Sequence, residues 1–559
     1  LTTLAAASSV QLLPDSVHAL TLPGRKVAVL GGGVGGMSAA HELAERGFSV
    51  TVYEKKSIPG GKARSVPVPG SGVAGRRDLP GEHGFRFFPG FYKHVTDTMK
   101  RIPYGSKHVF DNLVGANAMC LSVADGPDMA LPLASFPISV DDVVSGLKLL
   151  FGPLPDLSLA EITHFASRML QFMTSCDDRR YGEYEYMSWW DYIDAEDFSD
   201  EYRKFLAVGL TRNLVAARAE EVNARTVGLI LTQFLVGPQP LDRLLNGPTN
   251  DVWIDPWLNY LQSLGVTYNR NATVEGIHMA GGRISSVDVR VNGALQSITA
   301  DHYVFALPVE RLLPLLNPNV LAADPKLAEL YGLSTSWMNG IQLYLDRDVP
   351  IVNGHAIYLD SPWALTSVSQ AQFWKNFDLA TFGDGSVRGI LSIDISNFDK
   401  PGILYGKTAR ECTEQEIFDE VIAQLTSSLN QEGKTVLDPA WIVDWFLDPS
   451  LVFQAPGGLP TNEEALLINT AGSWELRPNA KTAISNMYLA ADFVQSNVDL
   501  ATMEGANEAA REATNAILDR VGSWAPRCFL QKLQEPAVFL AAKANDQVRW
   551  LLRLPHTLA

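Results

Sequence analysis

Residues 25–54 constrain this chain more than any other stretch. "RKVAVL" is an uninterrupted apolar run of the kind that forms a strand buried on both faces. It enters "GGGVGG" directly. "MSAAHELAERGF" then carries Met37, Ala40 and Leu43 at helical spacing with Gly47 as a stop, and "SVTVYE" is a second strand ending at Glu54. Strand, glycine turn, helix and strand make one βαβ unit. Gly31, Gly33 and Gly36 complete G-x-G-x-x-G: the first permits a tight turn, the second lets backbone approach a pyrophosphate, and the third lets helix pack on strand. An anion then sits on the positive end of the helix. Glu54 stands about 20 residues beyond the turn, where an acid can bind both ribose hydroxyls.

Context gives the triplet its meaning. Gly70, Gly72 and Gly75 repeat the spacing, but they follow Pro67 and Pro69 and run into "RRDLP", so no strand is expected before them and no helix after. Gly383, Gly385 and Gly389 have the wrong spacing and read as a turn before a strand. Hence one dinucleotide site is predicted and no second one for NADPH. His41-Glu42 lacks the second histidine of a zincin, since Glu45 stands there, and neither a G-x-S-x-G elbow nor metal-ligand spacing occurs. The expectation is no metal.

The net charge of −17 makes a nucleic-acid backbone an unsuitable partner. Four scattered cysteines form no C-x-x-C, against a zinc ribbon or a redox dithiol. No run reaches the ~18 apolar residues of a membrane span, so the expected location is the cytoplasm or a membrane surface. Residues 1–22 form an extension whose "VHA" is similar to the end of an export or transit signal, or a plain trimmed tail.

Two further segments bear on the cofactor. "IPGGKARS" places Gly60, Gly61, Lys62 and Arg64 just past Glu54, which suits a long, doubly charged cofactor; a solvated basic loop is the alternative. Far along the chain, "YLAAD" delivers Asp492 from a buried strand, and Met503-Glu504-Gly505-Ala506 opens a helix. That carboxylate suits a polyol chain and that helix end suits negative charge on a reduced ring.

Together these segments resemble the FAD-binding oxidoreductases of the amine oxidase and phytoene desaturase superfamily, with "GEHGFRFFPGFY" at residues 81–92 similar to a box of plant-type phytoene and ζ-carotene desaturases. The resemblance implies an α/β fold: a Rossmann-like (GR2-type) FAD-binding domain from 23–100, 250–320 and 463–522, interleaved with an α+β substrate domain from 101–249 and 321–462. It implies FAD contacts from Gly31, Gly33, Val34, Gly35, Gly36, Glu54, Lys55, Gly61, Lys62, Arg64, Gly84, Phe85, Arg86, Asp492, Met503 and Ala506, with Val274 at the adenine and Ala306 near the flavin. Three positions depart from the family pattern: Ala491 replaces a glycine, Arg86 a histidine, and Glu508-Ala509 a Ser-Gly pair. Arg86 is the single catalytic candidate, as a guanidinium that stabilises a flavin anion or grips a polar substrate. His83 beside it is an acid–base candidate or a structural imidazole.

The implied activity is desaturation or isomerisation of a lipophilic polyene or isoprenoid by hydride transfer to flavin N5, with electrons leaving to oxygen or a quinone. Amine oxidation to imine and peroxide is the alternative, and it calls for an aromatic cage, for which Trp474 is the candidate. A flavin-binding protein without turnover is the third reading. "EYEYMSWWDYI" and "TVGLILTQFLVG" suit a hydrophobic substrate or a plain core. The tail, 523–559, holds five basic and two acidic residues among alternating apolar ones, the pattern of an amphipathic segment on a bilayer, on the protein body or in a dimer.

Overall fold

The computed structural model describes residues 25–124, 128–132, 145, 146, 152, 154, 156–237, 240–375, 377–431, 433–455 and 457–559; the expected signal remnant at 1–22 lies outside them. The apolar run of the first unit is strand β1 (Lys26–Leu30), followed by helix α1 (Val34–Ala44) and strand β2 (Ser49–Tyr53). Strands β3 (Thr267–Asn269), β4 (His302–Phe305) and β5 (Met487–Leu489) complete a parallel sheet in the order β3-β2-β1-β4-β5. That is the doubly wound order, and it explains why β1 is apolar at every inner position: neighbours flank both edges, and its buried residues share one core with α1 and with Ile277, Val287 and Val289. Helix α2 (Met503–Arg520) lies along α1, where Ala39 and Ala40 meet Ala509, Ala510 and Ala513 in one core. Small side chains on both helices allow that close approach. An antiparallel meander over 272–298 crosses beside β2, its first hairpin closed by Gly281 and Gly282 at φ +57° and +73°, as a two-residue turn demands.

A second sheet has seven strands, in the order Ile442–Leu447, Asn339–Leu345, Gly389–Ile395, Leu365–Ser369, His355–Tyr358, Ala118–Ser122 and Met129–Pro132. Side chains alternate across it. Ile341, Leu343, Leu391, Ile393 and Ile395 pack with Ile417, Val421 and Leu425 of the helix Glu414–Leu429. The opposite face carries Gln342, Tyr344, Ser392 and Asp394, and there Gln342 accepts from the Glu82 amide at 2.9 Å while Tyr344 donates to the Pro80 carbonyl at 3.0 Å. A polar sheet face therefore looks at the desaturase-like box. Helices Leu159–Thr174 and Ala224–Val236 enclose a third core built on Phe165, Met169, Phe172, Trp189, Tyr192 and Tyr202.

The second glycine triplet needs a correction. A three-residue strand, Ser65–Pro67, does precede it, but it pairs antiparallel with Pro80–Glu82, so the triplet lies in a hairpin loop instead of a strand-to-helix turn. Among the described residues no helix is long and apolar enough to cross a membrane.

Candidate functional site

The glycine turn is cut to fit a ligand. Gly33 caps α1 in extended conformation, and a Cβ added there would lie 3.6 Å from the Gly61 Cα. Gly61 faces it at φ +57°, where a Cβ would come within 2.8 Å of the Gly33 Cα. Two bare backbones thus oppose each other at the start of α1, a cradle that any side chain would fill. Gly36 does the packing expected of the third glycine, since a Cβ there would meet the Gly31 carbonyl at 1.9 Å.

From this cradle extends one cavity of about 670 Å³. Gly31, Gly33, Val34, Gly35, Glu54, Lys55, Gly61, Lys62, Gly84, Phe85, Arg86, Val274, Ala306, Asp492, Met503 and Ala506 all line it. Glu54 is held rigid by amides: Gly32 N–H donates to it at 2.7 Å and Lys56 N–H at 2.8 Å. Burial pushes its carboxyl up, against the pull of those amides and Lys56.

Two expectations change. Gly36 does not reach the cavity, and neither does Arg64. The Arg64 guanidinium is buried in the wall, donating to the Gly61 carbonyl at 2.8 Å and to Glu464 at 2.9 Å. A carboxylate 400 residues away in sequence claims the cation that the local motif assigned to the cofactor. Arg86 lines the cavity but is also a bracket: it donates to the Gly84 carbonyl at 2.7 Å, the Phe85 carbonyl at 3.1 Å and the Lys62 carbonyl. It ties the "GGKA" loop to the desaturase-like box. Burial lowers its pKa while Glu82, Asp394 and Asp448 favour its charge, and a guanidinium so placed keeps its proton.

The fold also gathers groups that no motif announced. Tyr268 reaches from β3 to donate to the Gly32 carbonyl at 2.8 Å. His83 Nδ1 stands 2.6 Å from Asp448 and 3.7 Å from Glu464, and the three offer ligand atoms within 4.8 Å of one another. The sequence, read by spacing, shows no such cluster. The carboxylates are engaged, however: Asn339 and Ser450 donate to Asp448, while Lys56 and Arg64 pair with Glu464. Burial works against the Glu464 anion, but His83, Arg64 and Lys56 outweigh it and hold its pKa at about 2. His83 likewise outweighs burial at Asp448, which lies well below the ordinary carboxylate range. This is a histidine held between two anions. Asp394, on the polar sheet face, also lines the cavity; burial pushes it up to about 7 despite Arg86, His83 and His355. Glu82 rises to about 7 for the same reason, against Arg86.

Away from the cradle the cavity is apolar, with Phe91, Ile230, Phe234, Leu315 and Met338 in its wall. Of the two aromatic or apolar stretches singled out in the sequence, only the second contributes: Trp189 and Tyr192 go to the helical core. Trp474 is elsewhere, stacked over Arg225 at 4.4 Å and against Tyr181 at 5.2 Å. Residues of this kind in this order fit FAD: a bare-backbone cradle at a helix start, a fixed acid at one end and a cation-lined apolar chamber.

Comparison with known proteins agrees. The sequence profile of flavin containing amine oxidoreductases matches residues 34–518. The 15-cis-phytoene desaturase of Synechococcus elongatus is 23% identical over 512 residues, covering 89% of this chain and 96% of its own. The zeta-carotene desaturase of a Synechocystis strain is 25% identical over 549 residues, covering 88% and 97%. Among solved structures, cyclohexylamine oxidase from Brevibacterium oxydans superposes with a TM-score of 0.56 at 15% identity over 89% of this chain and 100% of that one. At that identity the likeness concerns fold.

Proposed function

Because this chain belongs to the family of flavin-containing amine oxidoreductases, and is an FAD-dependent oxidoreductase, we propose that it desaturates or isomerises a lipophilic polyene of isoprenoid type. The observation that carries this reading is the near full-length likeness to two carotenoid desaturases. The apolar wall of Phe91, Ile230, Phe234, Leu315 and Met338 supports it, since a hydrocarbon must be buried and aligned before it reacts. Bound FAD supplies the hydride acceptor. The chain would supply the rest: Glu54 would hold the ribose, the amides around Gly33 the diphosphate and Asp492 the ribityl chain, while Arg86 ties the two loops of the cavity wall together. Electrons leave to an external acceptor, oxygen or a quinone.

Amine oxidation is less well supported. Trp474 is committed to Arg225 and Tyr181, outside the cavity wall. Anaerobic mixing of the yellow holoenzyme with a panel of polyenes and simple amines decides between the two. Bleaching of the flavin by 15-cis-phytoene or another polyene is expected; bleaching by amines alone, with peroxide released in air, would replace this reading by the second.

An apolar substrate calls for a lipid surface, and the tail offers one. The helix Leu540–Leu551 packs on the body by its polar side: Asp546 is wholly buried, accepting from Arg179 at 2.9 Å and from the Cys176 amide at 2.9 Å. Its leucines face outward, Leu551 being 70% exposed and Leu552 65%. Apolar side chains outside and a carboxylate inside reverse the usual arrangement of a surface helix. Changing Leu551→Glu together with Leu552→Glu is expected to lower co-sedimentation with anionic liposomes about tenfold, the loss of roughly one leucine side chain's transfer free energy. Unchanged partitioning would remove the membrane from the proposal.

A further inference from the structure

We propose that Asp394 is the cavity's proton acceptor, the group that takes the proton a substrate releases as it is oxidised. The inference rests on the oxidoreductase reading above and assigns a role that the sequence motifs left to Arg86.

Geometry carries it. Asp394 lies in the strand Gly389–Ile395, directly across from Gly340 on one side and Thr366 on the other. Gly340 has no side chain to cover it. Above it passes Gly84, so close that a Cβ there would come within 2.5 Å of Asp394 Oδ1. The backbone of Gly84 thus packs directly over the carboxylate, which also accepts from the Phe85 amide and lines the cavity while only 6% exposed. Among the described residues its Oδ1 has no hydrogen-bond partner. A buried polar atom without a partner is uncommon in a folded protein, and it is accounted for when the partner is a ligand or a transferred proton.

Burial raises its carboxyl, and the charged groups around it pull the other way. Arg86 and His83 approach from the box over the sheet, and His355 from the strand His355–Tyr358. Asp242 stands 2.6 Å behind His355 and Asp448 2.6 Å behind His83, while Glu82 lies on the far side of Arg86. Each of these three groups thus has a second carboxylate beside it. The balance leaves Asp394 near neutrality, where a carboxylate is basic enough to accept a proton and acidic enough to return it. Arg86 cannot do this, since it carries no acceptor.

For a polyene the step balances as follows. One C–H bond of the substrate would give its hydrogen and both electrons to bound FAD, the two-electron acceptor of the family. The neighbouring carbon gives a proton to Asp394, and the electron pair of that second C–H bond becomes the new C=C bond. The carboxyl afterwards yields its proton to water.

The test uses the FAD-loaded full chain. Infrared difference titration between about pH 5 and about pH 9 is expected to show a protonated carboxyl band that disappears with a midpoint near 7. The band should shift on isotope labelling of aspartate and be missing in Asp394→Asn. This arm needs no substrate, so a failed donor panel sinks the polyene reading and leaves Asp394 to be judged by the band alone. With a donor that bleaches the wild type, the rate should fall as pH drops below about 7, and Asp394→Asn should be at least ~100-fold slower without that acid limb, its FAD content unchanged. No titrating aspartyl band in the labelled wild type would overturn the proposal. So would bleaching by Asp394→Asn within about threefold of the wild type with the acid limb intact, an outcome that would leave the oxidoreductase reading standing.

Discussion

Gly33→Asp is expected to give a folded, colourless protein. The glycine caps α1 with φ −74°, which any residue can adopt, and the nearest atom to an added Cβ is 3.6 Å away. The substitution therefore strains nothing in the protein itself. What it does is fill the cradle opposite Gly61 and set a carboxylate where a diphosphate must lie. Two like charges about 4 Å apart near a protein surface repel by about 4 kcal/mol, roughly a 1,000-fold loss of affinity. Neighbouring glycines behave differently. A Cβ on Gly35 would fall 2.0 Å from the Ala490 carbonyl, so Gly35→Ala should damage folding as well as colour. Purification of Gly33→Asp with its circular dichroism intact and its visible absorbance gone is the expected result; full flavin content would show that the cofactor lies elsewhere.

The second large effect is on stability. Asp499 is wholly buried with φ +48° and accepts from Arg477, Asn469, Arg225 and Thr226, the last at 2.7 Å. Arg225 also donates to Glu185 at 2.9 Å and is flanked by Tyr181 and Trp474. Arg477 reaches on to the carbonyls of Phe493 and Val494. One carboxylate thus compensates two guanidiniums and fixes the segment that runs into Leu500, Ala501 and Met503 of the cavity wall. Asp499→Asn keeps the shape and removes the charge, leaving Arg225 with Glu185 and Arg477 with the Phe493 and Val494 carbonyls. Removing one partner of a buried ion pair costs about 3–5 kcal/mol. The urea midpoint should fall accordingly, and flavin should be lost at lower denaturant than in the wild type. A midpoint unchanged in this variant would mean that hydrogen bonding, and not charge, holds the segment.

Much of the fold was legible because its decisive signals are local. The apolar run of β1, the turn after it and Glu54 lie within 30 consecutive residues, and each has one structural meaning in that order. The glycine-lined end of the cavity could be read for the same reason. Arg64 could not, because what decides its direction is Glu464, and nothing in "GGKARS" reports a carboxylate on another segment. Asp394 was invisible in a similar way. In "GILSIDI" it is one polar residue in an alternating strand, and only the tertiary pairing of that strand with Gly340, and the packing of Gly84 on it, bring it to the chamber wall. The short strand before Gly70 was missed because Pro67 and Pro69 speak against one, yet an edge hairpin tolerates proline at its end. The tail shows the limit of periodicity: its alternation announces two faces but does not say which one turns inward, and buried Asp546 reverses the simple choice.

The cavity wall joins distant parts of the polypeptide, Gly33 and Gly61 on one side and Met503 and Ala506 on the other. A ribosome must therefore synthesise the chain as far as Ala506 before the chamber can close, and hundreds of residues intervene between the two parts of its wall. Loading is necessarily a late event of biogenesis, one that must wait for the slowest, most distant contacts to form.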